Sequence, residues 1–445
     1  MLYKSPIDTE QRIPSGQGWL ALSPIIVFLL LYVAVSIILD DFYKMPIAVA
    51  LVVASMWAVA IYRSRPLMDR IETFSRAAGH FNILYMIWVF ILAGAFASVA
   101  KEIGAIDATV NLTLRFFPPQ FVVPTLFFFF FFISLSVGTS VGTVVALTPL
   151  AVEIAQMVDA NIAFYVAVVL GGAFFGDNLS FISDTTIAAT RSQGCNMADK
   201  FKANLWIALP AAIITLGAYI FMGQDTPAIS LGKESDYFLI IPYIVVLATA
   251  IAGINVTIVL SLGIFSALVM GMINGVSLMD MASFAGGGID GMGDLIIITL
   301  LAAGMLGLIK AAGGIQFLLQ GLTARISGRR GAQAILVLLV GIVNLCTANN
   351  TVAIITVGGI SRDISERYGI DPRKSASILD SASCVVQCLI PYGAQTLLAT
   401  SLAGISPAAP FPYLYYPWAL AGMIILSIVF LFPRRLNCEE NTKMS

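Results

Sequence analysis

The chain has 445 residues, of which 59% are hydrophobic and only 11% are charged, and its mean hydropathy is +0.92. A soluble protein of this length needs more polar residues to cover its surface. The composition therefore indicates a polytopic membrane protein whose main partner is the lipid bilayer. A formal net charge of -1 and the lack of a basic cluster argue against nucleic acid as a partner.

Eight stretches have the length and apolarity of membrane-crossing helices, which need about 20 mostly apolar residues. They are residues 18–39, 45–62, 83–100, 203–222, 237–253, 256–274, 294–310 and 414–433. Four further apolar stretches are interrupted near their middle by Gly, Pro, Asn or Asp, at 120–157, 161–190, 333–368 and 375–405. Since 120–157 and 333–368 could each form two short spans or a re-entrant hairpin, the number of crossings stays open at roughly 10 to 14.

Lysine and arginine in short loops indicate the orientation, because such loops stay on the cytoplasmic side. If all clusters are cytoplasmic, both termini are cytoplasmic and residues 223–236 lie outside the cell membrane, the inner membrane of a prokaryote. The clusters are Arg63, Arg65, Arg70 and Arg76; Arg191, Lys200 and Lys202; Arg325, Arg329 and Arg330; Arg362, Arg367, Arg373 and Lys374; and Arg434 and Arg435. Amphipathic segments at 107–117 and 315–327 are expected to lie in the interface on opposite sides, and glycine-rich residues 286–293 to form a flexible loop.

The chain is internally duplicated at a spacing of 208 to 210 residues. The best matches pair Lys101 with Lys310, Thr143 with Thr351, and Thr186 with Thr396. In the charge-derived topology the two copies cross in opposite directions, which predicts inverted repeats with interrupted helices, as in secondary transporters. The predicted parts are two leading helices in 1–79, repeat 1 in 80–222, a loop and two helices in 223–290, repeat 2 in 291–433, and a tail in 434–445.

A break in a membrane helix must be buried in protein or line an aqueous cavity, because lipid cannot satisfy its backbone groups. Polar residues cluster at four such breaks, at 137–143, 176–186, 346–351 and 387–396. Their free carbonyls and neutral side-chain oxygens suit a hard cation. The predicted substrate or ion site therefore comprises Thr139, Ser140, Thr143, Asp177, Asn178, Ser180, Ser183, Asp184, Thr185, Thr186, Asn349, Asn350, Thr351, Asp380, Gln387 and Gln395.

Asp177 and Asp184 are the acidic candidates of repeat 1 and the expected ligands of a transported Na⁺, whereas Asp380 is the acidic candidate of repeat 2. Ionisable groups at membrane depth mark ion or substrate pathways, and a proton and a cation would compete for one partly dehydrated carboxylate. The alternatives are structural: Asp177 and Asp184 could cap half-helices or accept hydrogen bonds from Ser and Thr neighbours, and Asp380 could pair with Arg373 or Lys374.

The run Gly172–Thr186, GAFFGDNLSFISDTT, resembles the signature of the NhaC-type sodium/proton antiporter family, usually Gly-Asp-Lys-x-Ser-Pro-x-Ser-Asp-Thr-Thr. Asp380-Ser381 before Leu389-Ile390-Pro391 resembles a second family segment, and the resemblance covers roughly residues 80–433. Asn178 stands where lysine is common and Phe181 where proline is common. The family also includes exchangers of organic acids or amino acids, so these differences bear on the substrate more than on the mechanism. The resemblance implies alternating access.

The expected function is Na⁺/H⁺ antiport, with Na⁺- or H⁺-coupled transport of an amino acid or small carboxylate as the alternative. No cofactor is expected besides the transported ions, and a homodimer is compatible with the sequence. An enzyme is not expected, because His-Glu-x-x-His and Gly-x-Ser-x-Gly are missing and His80 is the single histidine. The inverted repeats argue against a passive channel.

Overall fold

The computed structural model describes residues 15–38, 46–105, 108, 122–137, 139–180, 183–222, 237–252, 254–323 and 327–433. Within these ranges the chain forms nineteen α-helices, two short 3₁₀ helices and no strand, which confirms the predicted all-α fold. The terminal tails, the 223–236 loop and almost all of the amphipathic segment predicted at 107–117 lie outside the described residues.

The first half of the chain contains nine helices. They are α1 (Ser15–Ile38), α2 (Ile47–Ile61), α3 (Leu67–Ala78), α4 (Phe81–Glu102), α5 (Val122–Val137), α6 (Ser140–Met157), α7 (Ile162–Leu179), α8 (Asp184–Gln193) and α9 (Met197–Met222). The second half contains ten. They are α10 (Ile241–Ile251), α11 (Val256–Ile273), α12 (Leu278–Asp290), α13 (Gly293–Ala311), α14 (Gly314–Thr323), α15 (Gly328–Thr347), α16 (Asn350–Arg367), α17 (Pro372–Leu389), α18 (Ala394–Ala403) and α19 (Tyr415–Val429).

In the described part of the chain, eight stretches, each made of one helix or of two consecutive helices, are long and apolar enough to cross a membrane. They are Ile83–Glu102, Ser140–Met157, Ile162–Gln193, Met197–Met222, Val256–Ile273, Leu278–Ala311, Gly328–Thr347 and Pro372–Ala403, with shorter apolar helices among the rest. Each of the eight uninterrupted spans predicted from the sequence contains a helix. The protein is therefore a polytopic membrane protein built from helices.

Each interrupted stretch consists of two helices that meet end to end, but the interruptions are shorter than predicted. α7 continues through Asp177 to Leu179, and α17 continues through Gln387 to Leu389, so both residues lie in a last helical turn. At the end of α7 the backbone becomes extended at Ser180, and α8 begins after Ser183, whose side chain caps it by accepting a hydrogen bond from the Thr186 amide.

The prediction of a flexible loop at residues 286–293 is wrong, because the glycines at the start of this segment belong to α12. α12 packs against α4, and a side chain on Gly288 would collide with the backbone of Gly94. Close backbone approach through small residues is common between membrane helices. The glycines therefore serve helix packing. The basic segment after the second span is likewise a helix, α3, which packs on α13.

The interrupted helices lie at the centre of the molecule. α7 contacts α5, α6, α9, α17 and α18, and α17 contacts α15, α16, α9 and α19. Every residue of α7 from Tyr165 to Leu179 is buried. The ends of α7 and α17 are thereby held together inside the protein, away from lipid.

Candidate functional site

A central cavity of about 240 Å³ lies where the ends of the interrupted helices meet. Its wall combines the starts of α6, α8, α16 and α18 with the last turns of α7 and α17, and α4 and α11 close one side. The lining residues are Tyr85, Met86, Val89, Thr139, Ser140, Val141, Asp177, Asp184, Thr185, Val256, Ala348, Asn349, Asn350, Thr351, Val352, Ile355, Gln387, Ala394 and Gln395.

Ten of the sixteen predicted site residues line this central cavity. They are Thr139, Ser140, Asp177, Asp184, Thr185, Asn349, Asn350, Thr351, Gln387 and Gln395. Six are not part of its wall: Thr143, Asn178, Ser180, Ser183, Thr186 and Asp380. The structure thus brings ten of the predicted residues together at one cavity and places the other six outside its wall. Any direct contact of those six with a cargo in this cavity is not supported by the geometry.

Asp177 is 4% exposed, in the last turn of α7. Its Oδ2 accepts a hydrogen bond from Ser140 Oγ at 2.9 Å, and Ser140 Oγ accepts one from Gln395 Nε2 at 3.0 Å. A carboxylate shielded from water needs a cation or a proton as counter-charge. Its position in the cavity wall allows a small cation to supply it.

Asp184 is exposed and begins α8, but it does not cap that helix, because Ser183 does. A second cavity, of about 460 Å³, shares Asp184, Thr351 and Ile355 with the central cavity and reaches Arg191 and Ser192. Asp184 therefore stands between the central cavity and the end of α8.

The second half of the chain contributes amide side chains to the central cavity. Gln387 Nε2 donates hydrogen bonds to the Ala348 carbonyl at 3.0 Å and to Gln395 Oε1 at 2.9 Å. Within the described part of the chain, Gln387 Oε1 and Asn350 Nδ2 are buried polar atoms without a hydrogen-bond partner. Buried polar groups are normally paired, so these two atoms are available to a ligand.

Among the described residues of the α7–α8 break, the carbonyls of Asp177 and Ser180 are already engaged, although the sequence led us to expect free carbonyls for the cation there. Ser183 Oγ donates to the Asp177 carbonyl at 3.0 Å, and Thr186 Oγ1 donates to the Ser180 carbonyl at 2.8 Å. Ser183 and Thr186 therefore stabilise the break itself. The cation ligands that remain are mainly side chains.

A second buried polar group lies behind α7, and we call it the Lys200 cluster. Its core is an ion pair between Lys200 Nζ and Asp380 Oδ2, in which both side chains are at most 1% exposed. Asp380 therefore does not pair with Arg373 or Lys374. Instead, Lys374 Nζ donates to the Phe432 carbonyl at 2.7 Å. The other members of the cluster are Asn178, Asn204, Ser377 and Ser381.

The sequence did not predict the burial of Lys200 or its ion pair, because Lys200 has the pattern of a loop charge. Lys200 and Asn204 are buried on the first two turns of α9, whereas Lys202 is exposed. The four-residue spacing of Lys200 and Asn204, which puts both on one helix face, was the available signal.

The central cavity is chemically suited to a cation. Its wall contains the carboxyl groups of Asp177 and Asp184 and several neutral oxygens, and neither lysine nor arginine is among the lining residues in the described part of the chain. Carboxylate, hydroxyl and amide oxygens are the ligands that hard cations prefer.

Comparison with known proteins agrees with this chemistry. A family model described as "Na+/H+ antiporter family" matches residues 19–224 and 230–433. The Na(+)/H(+) antiporter NhaC of Bacillus subtilis is 23% identical, over 79% of this chain and 84% of the relative. The malate-2H(+)/Na(+)-lactate antiporter of the same organism is 21% identical, over 90% and 93%. The arginine/ornithine antiporter ArcD of Halobacterium salinarum is 22% identical, over 95% and 93%.

The family match extends over nearly all of the described residues, including every helix that forms the central cavity. It also confirms the resemblance to NhaC-type antiporters that the Gly-Asp and Ser-Asp-Thr-Thr elements indicated. The chain belongs to the Na⁺/H⁺ antiporter family.

Proposed function

We propose that the protein exchanges Na⁺ for H⁺ across the membrane by alternating access, with Asp177 as the carboxylate that both ions use. One observation carries the proposal: a buried carboxylate lines a cavity whose described wall has a second carboxylate and neutral oxygens but no basic side chain. Because a single carboxylate neutralises either a proton or a cation, binding of one releases the other. This competition links the two fluxes.

The test uses purified protein in liposomes, with internal pH followed while Na⁺, Li⁺ or K⁺ is added. We expect Na⁺ to drive proton movement in the wild type and Asp177→Asn to abolish it. Asp363→Asn is the matched control, because Asp363 is exposed on α16, away from the central cavity. Full cation-dependent proton flux in Asp177→Asn would refute the assignment.

We also propose that the two halves are inverted repeats, and that each begins two helices before the predicted bounds of 80–222 and 291–433, so that they extend from α2 to α9 and from α11 to α19. Residues with positive φ recur at the predicted spacing, as Gly104 with Gly313 and Gly194 with Gly404. The hydrogen bond from Ser134 Oγ to the Ala173 carbonyl has a counterpart from Asn344 Nδ2 to the Ser383 carbonyl. Such local details depend on backbone geometry and not on amino-acid composition. Their recurrence therefore supports a duplication of the structure.

The packing of the helices is reciprocal between the proposed repeats. α4 packs on α12 and α11. Its counterpart α13 packs in the same way on α3 and α2, which are the counterparts of α12 and α11. α8 packs on α16 and α18 packs on α6. This exchange of partners supports a pseudo-twofold relation, in which substrate sites lie where the broken helices meet. The cytoplasmic placement of both termini belongs to the same proposal.

A second candidate is Na⁺- or H⁺-coupled exchange of a small organic acid or amino acid. The cavity volume of about 240 Å³ exceeds what a single dehydrated cation fills. The starts of α6 and α16 could hold a carboxylate, because a helix N-terminus carries partial positive charge. Two relatives are named as exchangers of such solutes. Uptake of labelled lactate, malate or arginine into the same liposomes under a Na⁺ or H⁺ gradient would favour this candidate.

A further inference from the structure

The Lys200 cluster contains a buried ion pair that the proposed exchange does not use. Lys200 Nζ contacts three acceptors: Asp380 Oδ2, the Asn178 carbonyl at 2.8 Å and Thr186 Oγ1 at 2.8 Å. An ammonium group has three donors, so its hydrogen-bonding capacity is filled. Lys200 is thus held by the surrounding helices and is not among the described residues that line the central cavity.

The three acceptors belong to three different elements. Asn178 lies in the last turn of α7, Thr186 in the first turn of α8, and Asp380 on α17. The last carbonyls of a helix have no partner within it, and a cation near them is favourable. Lys200 therefore bridges both sides of the α7–α8 break and attaches them to α17.

Neutral members of the cluster strengthen the same attachment. Asn204 Nδ2 donates to the Asn178 carbonyl at 2.8 Å and to Asp380 Oδ2 at 3.0 Å. Ser377 and Ser381, both on α17, donate to Asn204 Oδ1. The carbonyl of Asn178 thus accepts two hydrogen bonds, and it is fixed relative to α9 and α17.

The residues held by the cluster are chain neighbours of the cavity residues. Asn178 follows Asp177, and Thr186 follows Thr185, yet Asp177 and Thr185 line the central cavity. One face of the break thus meets the cavity and the other meets Lys200. Any movement of the Asn178 or Thr186 backbone moves a cavity residue.

The energetics of the pair favour a role in geometry over one in stability. A buried ion pair adds little net stability, because desolvation offsets the attraction. Moreover, Asp380 Oδ1 is buried without a hydrogen-bond partner in the described part of the chain, an arrangement that costs free energy. We propose that Lys200 and Asp380 are positioning residues that hold Asp177 in its cation-binding place by fixing the α7–α8 break. This proposal rests on the proposed function.

The first test removes both charges together, with Lys200→Met and Asp380→Asn in one chain, because either change alone leaves an unpaired buried charge. We expect the half-saturating Na⁺ concentration for proton exchange to rise at least about tenfold, since misplaced ligand groups weaken binding, while the maximal rate falls by less. Lys202→Met is the control, because Lys202 is exposed on the same helix. An unchanged half-saturating concentration in the folded double variant would overturn the proposal.

Two further arms keep the test decisive. If the double variant does not fold, Lys200→Arg keeps the charge but replaces the ammonium with a planar guanidinium. If the half-saturating Na⁺ concentration of Lys200→Arg then equals that of the wild type, the positioning role is overturned. If the wild type itself shows no response to Na⁺, the proposed function fails, and a different measurement tests the positioning role alone. It is the rate at which a maleimide labels Asp184→Cys in a chain with Cys195 and Cys438 changed to Ser. We expect the double variant to change that rate, and an equal rate would overturn the proposal.

Discussion

At the scale of single residues, the site depends on how Asp177 is oriented. Its Oδ2 accepts a hydrogen bond from Ser140 Oγ, which in turn accepts one from Gln395 Nε2 in the other half of the chain. Gln395 also receives a hydrogen bond from Gln387. The carboxylate is therefore oriented by groups from both halves, so a change in either half alters the cation site.

Ser140→Ala removes the donor to Asp177 and the acceptor of Gln395 Nε2 together. Hydrogen bonds to charged groups contribute about 1.5 to 3 kcal/mol, so we expect a rise of about tenfold or more in the half-saturating Na⁺ concentration. Proton flux in liposomes measures it. Thr148→Ser is the control, because Thr148 is buried on the same helix and its hydroxyl donates a hydrogen bond to the Val144 carbonyl. Equal effects of both changes would contradict the role of Ser140.

Sequence patterns predicted Asp177 and nine other polar residues of the cavity wall, because charge, hydroxyls and amides in an apolar stretch are conspicuous. They did not predict Lys200, since a lysine just after a break has the pattern of a loop charge. Its burial depends on Asp380, 180 positions later in the chain. The same long-range packing separates Asn178 from the cavity while keeping Asp177 in it, because neighbouring residues in a helix face different directions.

At the scale of helices, α4 and α12 cross in close contact, with a glycine of each helix at the crossing point. A Cβ on Gly288 would overlap the Gly94 carbonyl, whereas a Cβ on Gly286 would meet no described atom within 4 Å apart from its chain neighbours and its own helix backbone. We expect Gly288→Ala to lower the free energy of unfolding by about 1 to 3 kcal/mol, because the helix backbones must separate. Gly286→Ala should leave stability unchanged or slightly raised, since alanine favours helix. Thermal unfolding in detergent measures both changes, and equal shifts would exclude the close crossing as the cause.

The spans were predictable as helices because about 20 apolar residues in a row leave few alternatives in lipid. α12 was not, because Gly286 to Gly288 has the composition of a loop. Glycine disfavours an isolated helix, yet packing against α4 outweighs that preference, since only glycine allows the two backbones to touch. The short α3 was missed for a related reason: its charged residues hide an apolar face that packs on α13.

At the scale of the whole molecule, the two proposed repeats imply a defined sidedness. The second cavity continues from Asp184 toward Arg191. The equivalent end of α18 lines a separate cavity of about 340 Å³ with Ser401, Ser406 and Asp294. If the repeats are inverted, these two cavities open on opposite sides of the membrane, and the central cavity in this structure is reached from the side of Arg191.

This sidedness is testable with Arg191→Cys and Ser401→Cys, which occupy equivalent positions on α8 and α18. In a chain with Cys195 and Cys438 changed to Ser, a membrane-impermeant maleimide should label Arg191→Cys only from the cytoplasmic side and Ser401→Cys only from the outside. Basic residues in short loops assign the cytoplasmic side to Arg191, and the inverted relation assigns the opposite side to Ser401. Intact cells and inside-out vesicles supply the two orientations. Labelling of both from one side would rule out the inverted topology, and with it the route by which alternating access would reach Asp177.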